Sequence, residues 1–183
     1  MSAQAAAARR LVVIDEDNKS RVIADGPSPE VRVDPARPGF SSARMWVTDR
    51  TPVPLRNLRE SLNLRHTLEP PPQGSVCRLV TFPPEAGYIT KVGAKEVQAY
   101  FDALGSPGAS TYSANARHPY MQKTRTLDFC LVIEGEITLV LDTEEVHLAT
   151  GDTVVQRGTN HAWSNRSGRP CTVAFSSHDA ALE

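Results

Sequence analysis

Two residues stand out because of where they sit. Asp128 lies inside Leu127-Asp128-Phe129-Cys130-Leu131-Val132-Ile133, an apolar, β-prone run. A carboxylate there is costly unless it is paired or ligating. His161 opens His161-Ala162-Trp163-Ser164-Asn165, directly after the turn Arg157-Gly158-Thr159-Asn160. A carboxylate beside an imidazole is a set suited to general acid–base catalysis, and burial would tune both groups. The period of two along a strand puts Gln122 and Thr124 on the face of Asp128, and Arg125 on the opposite, solvent side. Trp163 and Asn165 share parity with His161, which makes both candidate cavity residues. The plainer alternatives stay open: a structural hydrogen bond for Asp128, a backbone bond for His161, and a core position for Trp163.

The remaining histidines carry less. His118-Pro119-Tyr120 is either a surface loop or the source of a further ligand. His147 alternates with Val146 and Leu148 and is expected to face water. His66 and His178 are read as surface residues, and the facing of Arg78 is undetermined.

These residues need strands to hold them. After the run at 127–133, Ile137–Leu141, Val146–Leu148, Thr153–Gln156, His161–Asn165 and Cys171–Phe175 follow, separated by Gly-containing and charged turns. Short strands at a spacing of roughly ten residues mark a sandwich or barrel. Upstream, Ser75–Phe82 is a further strand, and Arg10–Ile14 with Ser20–Ala24 reads as a hairpin around Asp15–Lys19. Val31–Phe40 carries Pro35 and Pro38 and is extended without being a central strand. Ala43–Thr48 is another strand candidate, and Leu55–Leu64 fits a short or irregular helix weakly. Glu69–Gly74 is a stiff linker. Ala94, Val97, Tyr100, Phe101 and Leu104 predict an amphipathic helix ended by Gly105. With the loop 106–117 it forms an insertion suited to covering a barrel mouth. Met1–Ala8 reads as a frayed end.

The composition excludes several classes. With 20 Lys+Arg against 21 Asp+Glu, no basic face for nucleic acid is expected. No stretch approaches the ~18 consecutive apolar residues of a membrane span. Cys77, Cys130 and Cys171 lie in apolar strand runs without paired spacing, which predicts buried reduced thiols in a cytoplasmic protein. A Cys nucleophile is the minority alternative.

The series Glu134-Gly135-Glu136, Gly151-Asp152 and Gly158-Thr159-Asn160-His161-Ala162-Trp163-Ser164-Asn165 resembles the cupin superfamily. The resemblance covers roughly Gly74 to Phe175. It implies an all-β fold, a double-stranded β-helix (jelly-roll) barrel with an N-terminal β arm and a short helical insertion. The arm and linker would occupy 1–73, packing on the barrel or on a partner subunit in a homodimer. The barrel would occupy 74–183, with the insertion near 94–117. The second motif of the family is intact and puts His161 inside the barrel. The first is degenerate: counting back from Gly135, the acidic ligand position falls on Asp128 and the two His positions on Gln122 and Thr124. An amide oxygen and a hydroxyl are poor ligands for a transition metal. No metal or other cofactor is therefore the favoured expectation. The alternative is a divalent Fe, Mn, Ni or Zn ion held by His118, Gln122, Asp128 and His161.

The resemblance implies an enzyme acting on a small oxygenated organic acid or ring compound by proton transfer: decarboxylation, dehydration, isomerisation or cyclisation. Asp128 and His161 would be the catalytic pair. Gln122, Thr124, Trp163, Asn165 and His118 would bind substrate. A metal-dependent oxygenase and a non-catalytic metabolite binder are the alternatives. Partner expectations are a small-molecule substrate and a second copy of the chain, with neither nucleic acid nor membrane.

Overall fold

The computed structural model describes residues 8–55 and 61–181. The chain opens with a hairpin of β1 (Arg9–Glu16) and β2 (Lys19–Pro27). Its turn residues, Asp17 and Asn18, have φ of 54° and 58°. Positive φ at both central positions is what a tight hairpin turn demands, and Asp and Asn tolerate it. The hairpin is a separate two-stranded sheet. It is tied to the rest of the chain where Arg10 Nε donates to the Met45 carbonyl at 2.7 Å.

β3 (Val31–Val33), β4 (Ser41–Thr48), β5 (Ser75–Phe82), β6 (Thr126–Glu134), β9 (Thr153–Arg157) and β11 (Cys171–Asp179) form one sheet. Its order is β3-β4-β5-β11-β6-β9, so the arm's last strands continue the barrel wall. The facing sheet has the order β10-β7-β8, from β7 (Glu136–Leu141), β8 (Glu145–Ala149) and β10 (His161–Ser164). The two-residue period sorts each strand into two faces. In β6, Asp128, Cys130 and Val132 point inward, while Phe129, Leu131 and Ile133 are exposed outside. Between the sheets, Phe40, Val80, Phe82, Val132 and Val173 meet Ile137, Leu139, Leu148 and Trp163 in the principal core. Each aliphatic side chain so buried contributes about 1.5–3 kcal/mol. The turn from β6 to β7 requires Gly135: its φ is 83°, and a Cβ there would lie 2.8 Å from the Pro170 carbonyl oxygen.

The insertion supplies α1 (Ala94–Ala103), which buries Val97 and Phe101 against Tyr88, Ala109 and Tyr120. It ends at Gly105, as its left-handed φ of 71° requires. Of the helix expected over 55–64, residues 56–60 lie outside the described residues, and Ser61–Asn63 form a single 3₁₀ turn. No helix among the described residues is long and apolar enough to cross a membrane.

Two expectations need correction. His66 is buried, not at the surface, because its Nδ1 meets Glu30 Oε1 at 2.7 Å beside Arg44. Cys77 is exposed, because β5 turns Val76 and Arg78 inward and leaves the residue between them outside. Cys130 and Cys171 are buried, and burial pushes their thiols up to about 12 and about 11. Neither is a nucleophile near neutral pH.

Candidate active site

The inward rows of the large sheet and the start of β10 enclose a cavity of about 60 Å³. Its polar row runs across three strands: Ser177 of β11 pairs in register with Asp128 of β6, which pairs with Gln156 of β9. Beside it, Arg78 of β5 pairs with Phe175 of β11. His161 and Trp163 face this wall from β10, and Tyr100 of α1 and Leu104 at its C-cap line the remaining side.

His161 is buried and fixed at both ends of its ring. Nδ1 lies 2.9 Å from the Thr159 carbonyl, and Nε2 lies 3.3 Å from Nε2 of Gln122. A carbonyl only accepts, so Nδ1 carries the proton and donates to it. The neutral ring then has its lone pair on Nε2, where the Gln122 amide donates. The alternative amide orientation would set oxygen against that lone pair. Burial pushes the imidazole pKa below its ordinary value, opposed by the Thr159 carbonyl and by the charge of Asp128. The structural bond foreseen for His161 and its lumenal position are both present. One nitrogen does the positioning, and the other faces the cavity.

Gln122 owes its place to a backbone bridge. Its N–H donates to the His161 carbonyl at 2.8 Å, and the His161 N–H donates back at 2.9 Å. Asp128 is held by a hydroxyl relay. Thr126 donates to Asp128 Oδ2 at 2.7 Å, and the hydroxyls of Thr124 and Thr126 are 2.7 Å apart. Thr126 has only one proton, already given to the carboxylate, so Thr124 donates to Thr126. This leaves the Thr124 oxygen as an acceptor beside the cavity. Gln122, Thr124, Asp128, His161 and Trp163 thus share one pocket.

Two proposed site residues lie elsewhere. Asn165 is fully buried, but its amide donates to the carbonyls of Phe82 and Arg169 at 2.8 Å each, and its oxygen accepts from Ser167. It closes the turn after β10, where the strand has already ended and parity no longer applies. His118 is also outside the cavity lining. Its Nδ1 accepts from the Tyr120 N–H at 3.1 Å, and its Nε2 faces Glu85 at 3.4 Å.

This arrangement does not fit a firmly held transition metal. Among the described residues, no three His, Cys, Asp or Glu side chains converge. With His118 engaged elsewhere, the cavity offers one imidazole and one carboxylate. The position facing His161 is an amide that donates hydrogen, where an ion would need a lone pair.

Several pocket residues carried no interpretable mark in the sequence. Arg37 comes from the turn before β4. Its guanidinium carbon sits 3.8 Å, 4.2 Å and 3.8 Å from the ring centres of Phe40, Tyr100 and Tyr120, and its Nε donates to Asp34 at 2.7 Å. Gln156 and Ser177 are buried, and cross-strand register with Asp128 brings them to the pocket. Arg78 did carry a mark: it shares parity with the apolar residues Val76, Val80 and Phe82.

Residues 108–177 match the family model described as Cupin domain. The chain is 54% identical over 48 residues to Phomopsin biosynthesis cluster protein C' of Diaporthe leptostromiformis, covering 26% of this chain and 25% of that protein. It is 28% identical over 130 residues to the Cupin-domain-containing oxidoreductase virC of Hypocrea virens, covering 68% of this chain and 50% of that one. The chain therefore spans a quarter to a half of the length of these two relatives. The Cnp3 cupin domain of Schizosaccharomyces pombe aligns at a TM-score of 0.46 and 8% identity, covering 93% of this chain and 87% of that one. The matched stretch begins just before the Ser110–Gln122 bridge and ends at Ser177, so it carries Gln122, Asp128 and His161. By that match, residues 108–177 form a cupin domain.

Proposed function

We propose that the barrel is a small-molecule enzyme of the lyase or isomerase kind, moving protons on an oxygenated organic acid. The observation that supports this most is the contact of His161 Nδ1 with the Thr159 carbonyl, which assigns the proton to Nδ1 and leaves Nε2 toward the cavity. In this reading Nε2 removes a proton from a carbon next to a carbonyl. The charge of Asp128 favours the imidazolium that forms. The Gln122 amide turns from His161 to the developing oxyanion, and Thr124 accepts from a substrate hydroxyl. His161 then returns the proton to the neighbouring carbon, or to a departing hydroxyl. A cavity of about 60 Å³ favours a small substrate.

A metal-dependent oxygenase is the second reading, favoured only in that the Hypocrea virens relative is named an oxidoreductase. The donor set described above weighs against it.

The test is deuterium exchange, followed by proton NMR in D₂O, on small 2-oxo acids, hydroxy acids and hydroxyketones. The wild type should exchange the C–H beside the carbonyl of at least one compound. His161→Ala and Asp128→Asn should each slow exchange by about 10²–10⁴-fold. Unchanged exchange in both variants, or none in the wild type, would end the proposal.

A further inference from the structure

Three buried arginines flank the barrel interior, and their charges are met differently. Arg37 is paired with Asp34, and Arg44 with Glu30. Arg78 has no carboxylate within ion-pair distance among the described residues. Only its Nη2 is seen to donate, to the carbonyls of Thr67 and Leu68 at 3.3 and 2.7 Å, and its Nε has no partner. Burial lowers its pKa, opposed by Tyr100, Asp128 and Glu69 and reinforced by Arg44. A guanidinium stays charged even so, and a buried charge without a close counter-ion is costly.

The fully buried side-chain atoms of the pocket that lack a partner all have one sign. Among its lining residues, the buried side-chain atoms without partners are Arg37 Nη2, Arg78 Nε and Trp163 Nε1, and every one is a donor. Two of them flank one ring: Trp163 stacks edge-on against Phe175 at 5.3 Å, and Phe175 is the register partner of Arg78. Such a surface asks for an acceptor-rich anion.

We propose that the pocket takes a small organic monocarboxylate whose carboxylate is received by Arg78 and the indole N–H of Trp163. The row of Asp128 lies two strands and one inward step from Arg78, about 12 Å along the sheet. Repulsion by Asp128 keeps the carboxylate at the arginine end, so the rest of the molecule extends toward His161. Only that orientation rests on the proton-transfer reading above; the anion site itself does not.

The probes are pyruvate and lactate, with pyruvamide and lactamide as uncharged controls, titrated calorimetrically into the wild-type chain. At least one acid should bind saturably and roughly tenfold or more tighter than its amide. Arg78→Met should abolish that preference, and Arg78→Lys should restore part of it. If Arg78→Met does not fold, the acid–amide comparison in the wild type and Arg78→Lys still decides. Equal binding of acid and amide, no saturable acid binding at millimolar concentration, or an unchanged preference in Arg78→Met would overturn the proposal. Acid binding without any C–H exchange would uphold the anion site while ending the proton-transfer reading.

Discussion

The side-chain amide of Gln122 faces Nε2 of His161 at 3.3 Å, above a backbone bridge in which the same two residues exchange hydrogen bonds of 2.8 and 2.9 Å. The bridge sets the amide, and the amide donates to the only lone pair the imidazole has. That donation favours the neutral ring. Gln122→Leu removes it and should raise the His161 pKa by roughly half to one unit, the equivalent of one net hydrogen bond. An NMR titration of the imidazole measures the change. A downward shift would contradict this role for the amide.

Stability should fall on the acid side. His66 and His161 are both buried, and burial holds both pKa values below the ordinary 6.5. As pH drops below that value, the unfolded chain takes up protons that the folded chain refuses. The folded state loses up to about 1.4 kcal/mol per pH unit for each imidazole, until its own lower pKa is passed. Above the ordinary value the effect is absent. Urea unfolding between about pH 8 and pH 5 should show the decline, and His161→Gln should make it shallower.

Asn165 separates fold from chemistry. Replacing it by alanine removes the amide's bonds to the Phe82 and Arg169 carbonyls and the acceptor of the Ser167 N–H, while the Ser167 hydroxyl still reaches the Arg169 carbonyl. The expected cost is about 2–3 kcal/mol of stability. Ligand binding per folded molecule should be unchanged. A selective loss of binding at unchanged melting temperature would return Asn165 to the site.

Metal binding should be gained by one substitution. Gln122→His puts a second imidazole across from His161 and beside Asp128, which gives a three-donor set. Zinc or nickel should then bind about tenfold tighter or more than in the wild type. Elemental analysis of protein prepared without chelators or a His tag checks both chains. One ion per wild-type chain, or no gain in the variant, would contradict the donor argument.

The strands from Leu127 to Phe175 were legible because most inward positions are apolar and each turn is marked by glycine or charge. Asp128 and His161 were legible for the complementary reason, as polar groups in apolar strands. Parity carried Gln122, Thr124 and Trp163 into the pocket and then failed at Asn165, one residue beyond the end of β10. The cationic side of the pocket was harder to see. Arg37 arrives from a proline-flanked turn and is fixed by rings from the residue just before β4, from α1 and from the segment before β6. Arg78 shares parity with Val76 and Val80, but that parity alone does not say which face is inside. His66 was misjudged because its partner, Glu30, is 36 residues away in sequence.

The account rests on a neutral imidazole with Nε2 unprotonated in the cavity. Long-range ¹H–¹⁵N NMR of the wild-type chain at neutral pH measures this directly. For His161 the account predicts a protonated, pyrrole-like Nδ1 and an unprotonated, pyridine-like Nε2. A proton on Nε2, whether as the other tautomer or as the imidazolium, would contradict it.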